Sequence, residues 1–379
     1  MFTFTLKKTD KFTRARLGEI ETPHGKVATP VFMTIGTAGA VKAITPEEVK
    51  QLGGQMILGN TYHLHLRPGE DTIAKHGGLH QFINFDGPIL TDSGGYQVFS
   101  LSKINKVTFD GIRFQSHLDG EEIYLTPEKS IEIQQKLGAD IIMCLDECAP
   151  YPCDPKYAEQ AVARTTAWAK LCKRAHKTRK QALFGIVQGS VYPDLRERSA
   201  KELLEFDFPG YAIGGLAVGE NTGTMYDMVE ITAPLLPADK PRYLMGVGKP
   251  ENILEAVARG IDMFDCVLPT RNARHGYLYT SHGVIHIKNA EYKEDTRPLD
   301  KNCDCPVCAS YTRSYLRHIF MADEPLAQRL LTIHNLRFYL KLMQDIRFHL
   351  QDGTFKDFYQ KTKEKLKPRP PKPKKVKRK

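Results

Sequence analysis

The chain has 379 residues, a formal net charge of +10 and eight cysteines. No apolar run reaches the roughly eighteen residues of a membrane span, Met1–Lys8 lacks the apolar segment of a signal peptide, and so few cysteines in so long a chain make no disulfide framework; the expectation is a soluble, cytoplasmic protein with no membrane partner. Residues 361–379 carry eleven Lys and Arg against one acid, Glu364, so the preceding body is neutral, and this proline-rich end reads as a basic disordered tail.

Eight apolar runs follow one another, each ending in glycine or a polar residue: Val27–Ile35, Gln55–Leu58, Pro88–Leu90, Asp140–Leu145, Ala182–Val187, Tyr211–Ile213, Arg242–Met245 and Ile261–Leu268. Continuous apolar runs, as opposed to alternating ones, suit a parallel sheet buried on both faces. Helix starts stand between them. Thr45-Pro-Glu-Glu48 has a capping Thr, Pro at the first helical position and Glu at the third, Thr126-Pro-Glu repeats the start, and 154–177 and 249–259 have the character of surface helices. Eight β-then-α units predict an α/β fold, a (β/α)₈ barrel over residues 1–280 with its site at the C-terminal strand ends, against the alternative of an open doubly wound sheet. Residues 106–124 alternate and contain two Asp-Gly pairs, which predicts an inserted β-hairpin or small antiparallel sheet at about 104–125. A strand-like Gly283–Ile287, a cysteine cluster and helical sequence from about Ser310 to Phe358 form a second unit over 281–360.

Chemistry-bearing residues gather where the runs end. Thr91-Asp-Ser-Gly-Gly-Tyr-Gln-Val-Phe-Ser100 follows the third, Asp146-Glu-Cys148 the fourth, Gln188-Gly-Ser190 the fifth, Gly214-Gly-Leu-Ala-Val-Gly-Glu220 the sixth and Met245-Gly-Val-Gly248 the seventh, while Asp265 lies in the eighth. In a barrel these face one mouth. Paired acids with an acid–amide pair and glycine backbone suit a site that reads a purine and acts on its glycosidic bond: one acid helps the base leave, and another meets the oxocarbenium-like sugar. Asp146 and Gln188 can bond a guanine edge, Gly215 can offer its N–H, and Tyr96 or Met245 can cover the ring face. Asp92 as an Asx-turn opener and Asp146 as a helix N-cap are the structural alternatives. Cys266 is a rival nucleophile without a dedicated histidine, and Arg271, Arg274 and His275 beside Asp265 read as a basic loop for phosphates.

Cys303-Asp-Cys-Pro-Val-Cys308 with His334 gives C-x-C-x₂-C-x₂₅-H, a closed tetrahedral set for a structural zinc, with His318 as the competing fourth ligand. Cys144, Cys148 and Cys153 form a looser group read as small buried residues around Asp146. His63-Leu-His65 raises a metal-dependent hydrolase as a rival, and a non-catalytic zinc-containing RNA-binding protein is another.

DSGGYQ at Asp92–Gln97, QG at Gln188, GGLAVGE at Gly214–Glu220, FDCVLPTR at Phe264–Arg271 and the CxCxxC with its distant histidine resemble the queuine tRNA-ribosyltransferase (tRNA-guanine transglycosylase) family, its bacterial branch in particular, through essentially the whole chain to about Phe358. The resemblance implies a TIM barrel with one structural Zn²⁺ per subunit. Its activity would be replacement of the wobble guanine of tRNAs with G-U-N anticodons (Asp, Asn, His, Tyr) by 7-aminomethyl-7-deazaguanine (preQ1), in queuosine biosynthesis, through a covalent enzyme–RNA intermediate. It makes Asp265 the nucleophile and Asp92 the general acid/base. Tyr96, Asp146, Gln188, Gly215, Leu216 and Met245 would bind the base, Arg271, Asn272, Ala273 and Arg274 the RNA, and Cys303, Cys305, Cys308 and His334 the metal. Val218 matches the bacterial form, where eukaryotic enzymes that take queuine carry glycine. A homodimer is implied too. The basic tail has no counterpart in the family.

Overall fold

A computed structural model describes residues 2–97 and 105–366. Val98–Ser100 of the loop after the third run, and residues 367–379 of the basic end, lie outside the described residues.

The N-terminal strands β1 (Thr3–Thr9), β2 (Arg16–Thr22) and β3 (Gly25–Thr29) form an antiparallel sheet. The barrel strands are β4 (Val31–Gly36), β5 (Ile57–Gly59), β6 (Ile89–Thr91), β10 (Ile141–Met143), β11 (Ala182–Val187), β12 (Tyr211–Ile213), β13 (Arg242–Leu244) and β14 (Met263–Asp265). Between β6 and β10 stands an antiparallel sheet of β7 (Asn105–Thr108), β8 (Gly111–Gln115) and β9 (Glu122–Leu125), the small sheet among the two expected forms of this insertion. The eight barrel strands close: β14 pairs in parallel with β4, Met263 opposite Val31 and Asp265 opposite Met33. Closure removes the open-sheet alternative.

Each of the eight apolar runs supplies all or most of a barrel strand, but the first holds two elements. Val27 belongs to antiparallel β3, and the barrel strand starts only after Pro30, which has no N–H to give a ladder. The N-terminal sheet itself escaped the reading. Its first strand alternates exposed and half-buried residues, and its Ile20 and Val27 pack with Phe2 and Phe4 against the barrel interior. The lower end is also tied by Asp140, whose carboxylate bonds His24 Nδ1 (2.7 Å), His80 Nε2 (3.0 Å) and the Ile89 N–H (2.9 Å).

Alternation along the strands sorts two apolar layers. Ala182, Phe184 and Ile186 of β11 join Met33, Leu90, Met143, Tyr243 and Met263 inside the barrel, while Leu183, Val187, Leu244 and Phe264 face the helices. The same period of two turns Asp92, Gln188 and Asp265 inward, two residues beyond Leu90, Ile186 and Met263. Side-chain alternation therefore aims the site residues before any loop does.

The helices start as their caps foretell: Thr45 and Glu48 complete a capping box, Thr126 accepts from the Lys129 N–H, and Asp154 caps Pro155–Ala175. Beyond the barrel, β15 (Tyr277–Thr280) and β16 (Gly283–His286) pair as a hairpin. The 28-residue helix Pro325–Asp352 follows, and then Phe355–Leu366. This last helix includes residues 361–366, which composition had assigned to the tail; Lys363 pairs there with the buried Glu255.

Candidate active site

A cavity of about 340 Å³ opens at the C-terminal ends of the strands, lined by Asp92, Tyr96, Asp146, Gln188, Gly215, Leu216, Met245 and Asp265 among others. Every residue expected to hold or attack the base is thus in one place.

Asp92 is half-buried just past β6. The Thr61 amide donates to its Oδ1 (2.8 Å) and Asn60 Nδ2 to its Oδ2. Burial pushes its carboxyl up to about 7, opposed by the Thr61 bond and reinforced by the negative charges of Asp265 and Asp146. Asp146 is buried, accepting from Gln188 Nε2 at Oδ2 (2.7 Å) and Ser93 Oγ at Oδ1 (3.3 Å). It caps no helix; burial raises it to about 6 against those two bonds.

Asp265 ends β14. Burial raises its pKa, while the Gly246 amide (2.7 Å) and the Tyr243 hydroxyl (2.5 Å), both bonded to Oδ1, oppose the rise. Burial and the neighbouring Asp265 charge push the Tyr243 phenol well above its ordinary value, so it remains a donor. Cys266 lines the same wall, but burial pushes its thiol up to about 12, which leaves little thiolate to act as a nucleophile.

Gln188 and the loop after β12 form the floor. Gln188 Oε1 is buried with no hydrogen-bond partner among the described residues, an acceptor a bound N–H would satisfy. A Cβ on Gly215, whose φ is +66°, would stand 2.3 Å from that oxygen, so only glycine lets the chain pass there. Glu220 turns back to accept from the N–H groups of Ala217 and Val218. Arg196, fully buried, donates to the carbonyls of Ser190 (2.8 Å), Gly214 (2.7 Å) and Gly215 (3.3 Å), tying the ends of β11 and β12 together. Leu216 is buried, whereas Tyr96 stands half exposed over the opening.

Asn60, Arg196 and Tyr243 were missing from the sequence reading, and Ser93 and Glu220 stood in its motifs without a role. Inward alternation could have found Tyr243, which shares its face with Asp265 on the neighbouring strand. Asn60, Ser93 and Arg196 act through contacts distant in sequence, whereas Glu220 bonds within its own loop.

The segment after Asp265 is a helix, Leu268–Arg274, where a loop was expected; Pro269 sits in its first turn. Arg271 is exposed and Arg274 half-buried, but Ala273 faces the core and Asn272 Nδ2 donates to the Tyr279 hydroxyl (2.7 Å). Of the four residues expected to meet RNA, the two arginines are the ones that bring positive charge to this helix.

His65 bonds Glu70 (2.6 Å), and of the pair only His63 lines the cavity, so the two do not form a ligand set there. Of the looser cysteines, Cys144 is buried, Cys148 lines the cavity near Asp146, and Cys153 lies 3.6 Å from Ser190 Oγ.

Cys303, Cys305, Cys308 and His334 bring their ligand atoms within 4.8 Å of one another, a group that could hold a metal ion. His334 Nδ1 lies 3.3 Å from Cys308 Sγ and 3.7 Å from Cys305 Sγ, while its Nε2 faces the Tyr279 carbonyl at 2.8 Å. A proton on Nε2 donated to that carbonyl leaves Nδ1 as the lone pair for a metal, the usual outer support of a ligating histidine. His318 is exposed on another helix and outside the group.

A family model described as queuine tRNA-ribosyltransferase matches residues 10–368. Proteins named queuine tRNA-ribosyltransferase from Desulforamulus reducens and Pelotomaculum thermopropionicum are each 57% identical to the chain, over 353 and 355 residues. These alignments cover 93% and 94% of this chain and 95% and 96% of theirs. One from Staphylococcus aureus is 56% identical over 352 residues, 93% of each chain. With its motifs gathered at one barrel mouth, the chain belongs to the queuine tRNA-ribosyltransferase family.

Proposed function

We propose that this enzyme is a tRNA-guanine transglycosylase, a pentosyltransferase that exchanges the wobble guanine of G-U-N anticodons (tRNAs for Asp, Asn, His and Tyr) for preQ1 in queuosine biosynthesis. The observation that carries this reading is the division among three carboxylates in one cavity. Asp265 lies against two donors on one oxygen, Asp92 titrates near neutrality, and Asp146 pairs with an amide whose other end is an unsatisfied buried acceptor.

Asp265 attacks C1′ of the ribose, and the C1′–N9 bond breaks with its electron pair passing to the purine. Asp92, raised to about 7, supplies the proton to the departing base. It then takes the N–H proton of the incoming base, whose nitrogen attacks C1′ and releases Asp265 as a carboxylate. Asp146 and Gln188 hold the base edge, the Gly215–Leu216 backbone its carbonyl, and Tyr96 and Met245 its faces. Val218 lines the cavity where glycine would leave more room, which favours preQ1 over queuine. Arg271 and Arg274, on the helix that follows the nucleophile, meet the anticodon loop, whose bases are unpaired and need little energy to splay. Cys303, Cys305, Cys308 and His334 hold a structural zinc; bound, it cross-links the C-terminal unit and supplies no chemistry to the cavity. The enzyme acts in the cytoplasm as a homodimer.

Incubation with tRNA and radiolabelled guanine, followed by a denaturing gel, tests this directly. Wild type incorporates label and forms a covalent complex, and Asp265→Ala does neither. Label incorporation by that variant would remove the nucleophile assignment.

A further inference from the structure

We infer that Tyr243 is a positioning residue that selects which oxygen of Asp265 attacks and sets how readily the covalent intermediate is discharged. The inference rests on the reading of Asp265 as nucleophile and deepens it.

Tyr243 lies inside the barrel on β13, 1% exposed, and points to the same side as Asp265 on β14 because Tyr243 stands opposite Met263 in the ladder. Its hydroxyl donates to Oδ1 at 2.5 Å and the Gly246 amide donates to the same atom at 2.7 Å. Neither reaches Oδ2, which takes no hydrogen bond from the described residues. Oδ1 is thus held by two donors, and Oδ2 is the oxygen left to bond C1′.

That asymmetry has a kinetic consequence. When Oδ2 forms its bond to C1′ and the purine leaves with the C1′–N9 electron pair and a proton from Asp92, the carboxylate charge disappears and Oδ1 becomes an ester carbonyl oxygen. Hydrogen bonds to a charged acceptor are stronger than those to a neutral one. Tyr243 therefore stabilises the free carboxylate more than the ester. It restrains formation of the intermediate and favours the second step, in which N9 of the incoming base bonds C1′ and Asp265 leaves as an anion. Without the hydroxyl the equilibrium shifts toward the ester by about tenfold, the difference between a charge-assisted and a neutral bond.

The test is Tyr243→Phe in the full-length protein, which keeps the buried ring and deletes one oxygen. The covalent complex with tRNA is titrated with free guanine and quantified on denaturing gels. The variant is expected to need about tenfold more guanine than wild type to discharge half the complex. The acidic limb of its exchange rate should also move to higher pH, because a bond favouring the ionised carboxylate is gone. Melting temperature and guanine affinity near those of wild type report an intact cavity. If the variant forms the complex and both the guanine titration and the pH profile superimpose on wild type, Tyr243 is only a packing residue and the inference fails. If wild type itself forms no complex, the nucleophile reading fails and takes this inference with it.

Discussion

Three acids crowding one half-buried site should weaken the fold that carries them, and Asp92→Asn measures how much. Asp92 is raised from 3.8 to about 7, chiefly by burial. At about 1.36 kcal/mol per tenfold change in proton affinity this corresponds to about 4 kcal/mol. Asp92 lines an open cavity where solvent screens part of the effect, so about 2 kcal/mol is the working figure. A carboxyl that binds its proton more tightly folded than unfolded favours the fold below pH 3.8. That favour is lost as the pH rises to about 7, and is constant beyond. Asparagine has no such dependence. It does set its NH₂ against Asn60 Nδ2, which is fixed as a donor because Asn60 Oδ1 accepts from the His63 N–H. That penalty is the same at every pH and cancels when the two proteins are compared at pH 4.5 and pH 8. With an unfolding entropy of ~2.1 cal/mol/K per residue, about 2 kcal/mol is ~2–3 °C. In calorimetry with metal bound, the melting temperature of the variant minus that of wild type should rise by most of that amount, about 2 °C, from pH 4.5 to pH 8. A difference that is flat or falls with pH would refute the charge argument.

Guanine binding should weaken about tenfold between pH 7 and pH 5 as Asp146, raised to about 6, takes a proton and stops accepting; titration calorimetry that finds equal affinity at both removes Asp146 from base recognition. Gly215→Ala should weaken guanine binding about tenfold or more, because the new methyl meets Gln188 Oε1 and φ is +66°. Wild-type affinity in that variant would mean the loop is free to move aside. Cys305→Ser should lower zinc measured by atomic absorption from ~1 per chain to near none, and unchanged stoichiometry would defeat the proposed metal site.

The barrel was legible because a strand buried on both faces writes itself as an unbroken apolar run, as Ala182–Val187 does to the residue. Amphipathic strands were harder to see. Thr3–Thr9 buries one side only partly, and its threonines and lysines read as solvent-exposed chain. Pro30 divides two strands within one apolar run, and Leu268–Arg274 is too short a helix to show a period. In the site, the acids and the glycine loop stood out as motifs at strand ends. Their supports did not: Tyr243 lies 22 residues from Asp265 and Asn60 lies 32 from Asp92, and only barrel closure and strand register bring them together. A hydrogen bond across neighbouring strands leaves no spacing to read.

The helix Pro325–Asp352 ties the proposed metal group to the cavity at the barrel mouth. His334 bonds the Tyr279 carbonyl, its neighbour Asn335 holds the carbonyls of Pro269 and Tyr277, and Tyr339 bonds the carbonyl of Gly248. Those partners flank the arginine helix and the loop that carries Met245 and Gly246. If the group holds the proposed zinc, a reagent that oxidises the three thiols or strips that ion would thus inactivate the enzyme without entering the base cavity. Inhibition of this kind would not compete with guanine, and oxidant exposure or zinc scarcity would become a brake on tRNA modification that acts from the rear of the molecule.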